Sequence, residues 1–174
     1  MTALLYATIW TALILFVAAE AGRSRFADGR GPAPWARRAL GLGAVLLVAH
    51  VLIALHVRYG WNHELAVRET ARQAATVYGF EWRGNIFVSY AFVLLWCAEV
   101  ARWRGQARRR AAGSRARLWV WRGFFFVVIA NAAIVFATST AARVAGGLLV
   151  AVLSWAWWPV PAGGTRHRSP LVYP

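Results

Sequence analysis

Four histidines, six carboxylates and one cysteine hold most of the acid–base and ligand chemistry open to this chain of 174 residues. His50 lies in the middle of the apolar run 39–57. An ionisable group at such a depth is a functional candidate by default. The sharp reading is cofactor binding, with His50 as an axial ligand of haem b, which is commonly held by histidines on facing helices. His50 and His56 are six residues apart, about 240° round a helix beyond one full turn. They cannot grip one iron from opposite sides, and Met1 offers no axial sulfur. A haem would need its second ligand from another copy or a partner. The plainer reading is a neutral imidazole hydrogen-bonded to a neighbouring helix, for instance to Asn131.

His56, His63 and Glu64 make a second group, a candidate site for a divalent metal, with Tyr59, Glu81 and Asn85 near by. Their spacing is not the His-Glu-x-x-His signature of zinc enzymes. The plainer reading is a polar cap tying an outer helix to the spans. Glu20 and Glu99 fall at the ends of apolar runs, Glu99 three residues before Arg102 and at a depth similar to Arg122, which suits interfacial charge pairs. Cys97, the only cysteine, excludes an internal disulfide and any multi-cysteine metal site, and reads as a small buried residue. Asn85 and Ser89 share a helix face, and Gly146-Gly147 would allow close helix approach. No Ser-His-Asp set at a shared depth, phosphate loop or broken helix pair is visible. A proton pathway would have only His50 between the two ends.

The elements that must position these residues are set by composition. The chain is 60% hydrophobic, with mean hydropathy +0.47 and net charge +14. An ordinary globular chain is about 45–50% apolar, so a soluble domain is excluded, and so is disorder. A span takes about 20 apolar residues. Five runs qualify or nearly so: 3–19, 39–57, 85–101, 119–138 and 144–158. The last is short and needs flanking residues to cross. Thr138-Ser139-Thr140 and Arg143 divide the final two runs, and Pro159 and Pro161 end the fifth.

All 20 basic residues are arginine, which suits a high-GC genome. Arg23, Arg25, Arg30, Arg37, Arg38, Arg102, Arg104, Arg108, Arg109, Arg110, Arg115, Arg117, Arg122, Arg166 and Arg168 fall on one side, 15 in all. Arg58, Arg68, Arg72, Arg83 and Arg143 fall on the other. The positive-inside rule puts the larger set in the cytoplasm, N-terminus out and C-terminus in. Residues 1–10 carry no basic side chain, so the first run reads as an uncleaved anchor despite Ala19-Glu20-Ala21. Arginines between apolar runs point to anionic lipid headgroups, with no nucleic acid as partner. Most of the 11 tryptophans, among them Trp35, Trp61, Trp82, Trp103, Trp119, Trp121, Trp157 and Trp158, lie near span ends and read as an interfacial belt.

The outer segment 58–84 differs from the rest, since its charges nearly cancel. It predicts a helix over about 63–78, capped by Asn62 and stopped by Gly79. Arg68, Glu69, Arg72, Gln73 and Thr76 share one face; Val67, Ala71, Ala74, Ala75 and Tyr78 share the other. Alanine is too weakly apolar to hold a lone helix on lipid, so this face is expected to pack on protein. Gly29–Pro34 reads as a turn-rich linker, and the tail 161–174, with Gly163-Gly164 and His167, as flexible.

The stretch His56–Trp103 carries His-Val-x-Tyr-Gly-Trp-x-His, Thr70-Ala71-Arg72-Gln73, Trp82-x-Gly-x-x-x-x-Ser-Tyr and Trp96-x-Ala-Glu-Val. In these motifs, about a quarter of the chain, it resembles a group of small multi-span membrane proteins of high-GC bacteria. The resemblance supports the topology and implies no activity.

The sequence therefore predicts an all-α, polytopic helical membrane protein, a single domain of about five transmembrane helices, N-out and C-in, with one amphipathic helix on the outer face. The expected location is the bacterial cytoplasmic (inner) membrane. The expected function is that of a non-catalytic accessory or scaffold subunit, joining other membrane subunits or a second copy through Arg68, Glu69, Arg72 and Gln73 and through Arg108, Arg109 and Arg110. The alternatives are a haem- or metal-binding redox protein and, less supported, a small transporter.

Overall fold

Backbone amides find no water in a bilayer core, so each apolar run must close its hydrogen bonds on itself as a helix. The computed structural model describes residues 2–25, 33–105, 115–137 and 139–158. These form α1 (Thr2–Arg25), α2 (Pro34–Tyr59), α3 (His63–Tyr78), α4 (Asn85–Gly105), α5 (Arg115–Ala130) and α6 (Thr140–Trp157). A π-helical turn, Asn131–Val135, continues α5. Five of the described helices, all but α3, are long and apolar enough to cross a membrane. Arg108, Arg109, Arg110 and the tail 161–174 lie outside the described residues.

Helix boundaries follow local chemistry. Pro34 starts α2 at the position where a missing N–H costs nothing, five residues before the apolar run begins. Asn62 accepts from the Leu65 amide at 3.0 Å and opens α3, and Gly79 ends it at φ 80°. Ser139 caps α6 through the Ala142 amide. At 18 residues, about 27 Å by helical rise, α6 is nearly as long as the hydrocarbon layer.

The spans run up and down, so the C-terminal ends of α1, α4 and α6 meet the N-terminal ends of α2 and α5. α1 lies along α2 and α6; α2 also meets α4, and α3 rests across α2 and α4. Around the C-terminal half of α1 the packing is aromatic. Phe16 stacks on Phe125 at 5.1 Å and meets Trp96 edge-on at 4.7 Å, while Trp121 stacks on Phe125 at 4.3 Å. The Trp96 indole N–H reaches the Leu40 carbonyl at 3.1 Å, its ring lying over Gly43, where a Cβ would approach within 2.9 Å. Among membrane helices such close contact substitutes for a hydrophobic driving force.

Two carboxylates lock this end. Glu20 is fully buried; its Oε2 accepts from Arg23 at 2.5 Å and from the Trp157 indole at 2.6 Å. Glu99 is 4% exposed and accepts from Arg102 through its Nε and Nη2 and from the Trp103 indole. The Arg23 guanidinium lies over the Trp103 and Trp121 rings. Trp103 and Trp157 are thus corrections to the interfacial belt: both are buried, because each supplies the neutral donor its carboxylate needs. Trp35, Trp61, Trp82, Trp119 and Trp158 are exposed. Cys97 is a second correction, exposed rather than buried, since it lies with Leu94, Ala98 and Ala101 on the face of α4 opposite the buried Trp96 and Glu99.

Glu20→Ala would strand Arg23 and the Trp157 N–H at a buried site. Removing one partner of a buried pair costs about 3–5 kcal/mol. Thermal unfolding in mild detergent should show a large fall in midpoint for Glu20→Ala and none for Arg68→Ala, whose side chain is 59% exposed.

Candidate functional site

At the opposite end the bundle opens. A cavity of about 800 Å³ lies between α1, α2, α3, α4 and α5. Its floor is apolar, made by Leu13, Leu47, Phe92, Val93, Phe124 and Val128. Its upper wall is polar, with Tyr59, Thr70, Gln73, Tyr78, Asn85, Ser89, Tyr90 and Asn131. Among the described residues no Arg, Asp or Glu lines it. The volume is within the usual range of small-molecule sites, about 300–1,000 Å³.

His50 stands between floor and upper wall, nine residues before Tyr59 on α2, or about 13 Å deeper. Its Nδ1 lies 3.0 Å from the Leu5 carbonyl and 3.2 Å from the Thr8 hydroxyl, both on α1. A carbonyl can only accept, so Nδ1 carries the proton. In the neutral ring the remaining lone pair is on Nε2, the edge turned away from α1. His50 therefore offers the cavity one fixed acceptor. The partner expected in Asn131 is replaced by α1: Asn131 accepts instead from the Tyr78 hydroxyl at 2.5 Å and donates to the Val127 carbonyl.

The helix α3 roofs the cavity. Ala66, Val67, Ala71 and Ala74 are buried, and Ala66 and Val67 pack with Ile86, Leu55, Tyr59 and Tyr90, so the alanine face rests on this chain's own spans. Three further links hold the roof: Tyr90 to His63 at 3.2 Å, Asn85 to the Thr70 carbonyl at 3.3 Å, and Tyr78 to Asn131. Gln73, expected on the outward charged face, is exposed and stands at the rim of the cavity.

The π-turn explains the place of Asn131. π-Turns within α-helices frequently accompany functional sites. Here the extra residue pushes Ala133 against α6, where a Cβ on Gly146 would fall 2.1 Å from the Ala133 carbonyl oxygen.

The residues proposed for a metal each have another partner. His56 Nδ1 accepts from the Trp61 indole at 3.1 Å, so its neutral ring keeps its proton on Nε2 and has no free lone pair. Trp61 holds a left-handed backbone, φ 63°, costly for so bulky a residue and braced by this bond. His63 meets Tyr90, and Glu64 pairs with Arg83 at 2.7 Å and Arg68 at 3.6 Å. Among the described residues no three His, Cys, Asp or Glu side chains converge as a metal site. His50 is the only described histidine lining the cavity.

Sequence reading missed Thr8, which lies one helical turn beyond Leu4 and fixes the far side of His50. A lone threonine in an apolar run gives no signal of its partner. No family model, curated protein or solved structure matches the chain.

Gly146→Ala must force the π-turn off α6. Overpacking of this kind costs about 1–3 kcal/mol. The variant should unfold at lower temperature than wild type, whereas Gly147→Ala, where a Cβ meets nothing, should not.

Proposed function

We propose that this chain is a membrane-embedded binding protein for a neutral, lipid-soluble small molecule with a hydrogen-bonding head. The observation that carries the reading is the uncharged cavity of about 800 Å³, apolar below and polar above. A charged head would meet no countercharge there and would bear the full cost of leaving water. A hydroxyl, phenol or similar neutral group is matched by the fixed His50 acceptor or by the amides and hydroxyls under α3. The apolar part then lies against Leu47, Phe92 and Phe124.

The accessory-subunit reading has less support. Glu69 and Arg72 pair with each other and Arg68 with Glu64, so these charges already have partners within the chain. A second reading rests on His50 itself. Metal-ligating histidines almost always donate their other ring N–H, often to a backbone carbonyl. His50 has that arrangement toward Leu5, which suits an axial ligand of haem, with any second ligand supplied from outside this chain.

The orientation proposed is arginine-rich end in the cytoplasm and α3 outside, in the inner membrane of a bacterium, on the charge asymmetry of 15 arginines against 5.

The test is purification in mild detergent, an absorption spectrum, then solvent extraction and mass spectrometry. A neutral lipophile at near-stoichiometric amount is expected in wild type, falling at least tenfold in Ala54→Trp, which fills the cavity one turn from His50. Equal amounts in both proteins, or a bare wild type, would overturn the reading. A Soret band lost in His50→Ala would favour haem.

A further inference from the structure

The arginine-rich end holds a cation that the two carboxylates do not neutralise. Glu20 takes Arg23 and Glu99 takes Arg102. Arg122, on the second turn of α5, is close enough to interact electrostatically with both Arg23 and Glu20, yet has no carboxylate partner among the described residues. Its Nη1 reaches the Trp157 carbonyl at 3.4 Å, a weak bond to the last turn of α6. Its guanidinium is held over the Trp157 ring, 5.5 Å from the centroid. Its Nε is buried and unpaired. The guanidinium is therefore held over Trp157 inside an apolar span, and its Nη2 has no hydrogen-bond partner among the described residues.

Its neighbours place the guanidinium at the lipid boundary. Trp119, one turn earlier, is 58% exposed, and Trp158, next to the stacking Trp157, is 72% exposed. Indole rings favour the headgroup level. The sequence leaves few internal acceptors: beside Glu20 and Glu99, Asp28 is the only side-chain carboxylate for the 15 arginines assigned to this end.

We propose that Arg122, braced on Trp157 between α5 and α6, seats the phosphate of an anionic glycerophospholipid. The fork of the guanidinium matches phosphate oxygens, and the brace of Trp157 reduces the entropy lost on binding. This site is independent of the cavity under α3. It differs from diffuse attraction to the arginine loops because it depends on one residue with a built support.

The experiment titrates purified protein in neutral detergent with phosphatidylglycerol, phosphatidylcholine or inorganic phosphate, reading bound lipid by native mass spectrometry and the thermal midpoint. Wild type, Arg122→Gln, Arg122→Lys and Arg117→Gln are compared; Arg117 is an exposed arginine on the same helix. Phosphatidylglycerol should bind at least about tenfold more weakly to Arg122→Gln, the effect of losing a charge-assisted bidentate contact. Arg117→Gln removes one surface charge without a built support and should weaken binding by no more than about fivefold. Inorganic phosphate should raise the midpoint of none of them. Equal losses in Arg122→Gln and Arg117→Gln would mean diffuse attraction, and a midpoint rise with phosphate alone would mean a free-anion site; either overturns the proposal. If Arg122→Gln does not fold, Arg122→Lys decides. It keeps the charge but loses the planar stack, so unchanged lipid affinity would contradict the site.

Discussion

Glu20 and Glu99 are the constraint on which the bundle depends. A carboxylate buried among membrane helices is costly unless both a countercharge and hydrogen bonds are at hand. Each receives an arginine three residues on and an indole N–H. The indole for Glu99 comes from its own helix. The one for Glu20 comes from Trp157, at the far end of the chain, and so fastens α6 to α1. Arg23 then lies over Trp103 and Trp121, drawing α4 and α5 to the same point. Phe16, Phe125 and Trp96 fill the space above.

Closure at that end permits opening at the other. Hydrogen bonds between membrane helices average only about 0.6 kcal/mol, well below the cost of a stranded buried charge. The links under α3, Tyr78–Asn131, Tyr90–His63 and Asn85–Thr70, belong to the weaker class. The bundle is thus pinned by buried charge at the arginine-rich end and held around the cavity by neutral contacts and the exposed Arg83–Glu64 pair, which is worth little at the surface. A site that must admit and release a ligand from the bilayer is better placed at the second end. His50 escapes this softness because α1 holds it through Leu5 and Thr8.

Much of the fold was legible in the residues. Five apolar runs became five helices long enough to span, and Asn62 and Gly79 bounded α3 as their chemistry demands. The alanine face of α3 was read as packing on protein, and the protein is this chain. What failed was partnership across long separations. Helical spacing gives the face on which a residue lies, not the helix that faces it. Hence Asn131 was matched to His50 when each has a different partner, and Trp103 and Trp157 were assigned to lipid headgroups when their N–H groups serve buried carboxylates. The cavity had no sequence signal at all, because its lining is drawn from α1, α2, α3, α4 and α5 together with the π-turn.

The most direct measurement of the central claim is an experimental structure of the protein in lipid nanodiscs, at a resolution that separates side chains from bound molecules. The account predicts non-protein density in the cavity beneath α3, with a polar atom within hydrogen-bond reach of His50 Nε2 or of the groups at Thr70, Asn85 and Ser89. A closed bundle, with α5 packed on α4 along its length and side chains filling the space, would contradict it.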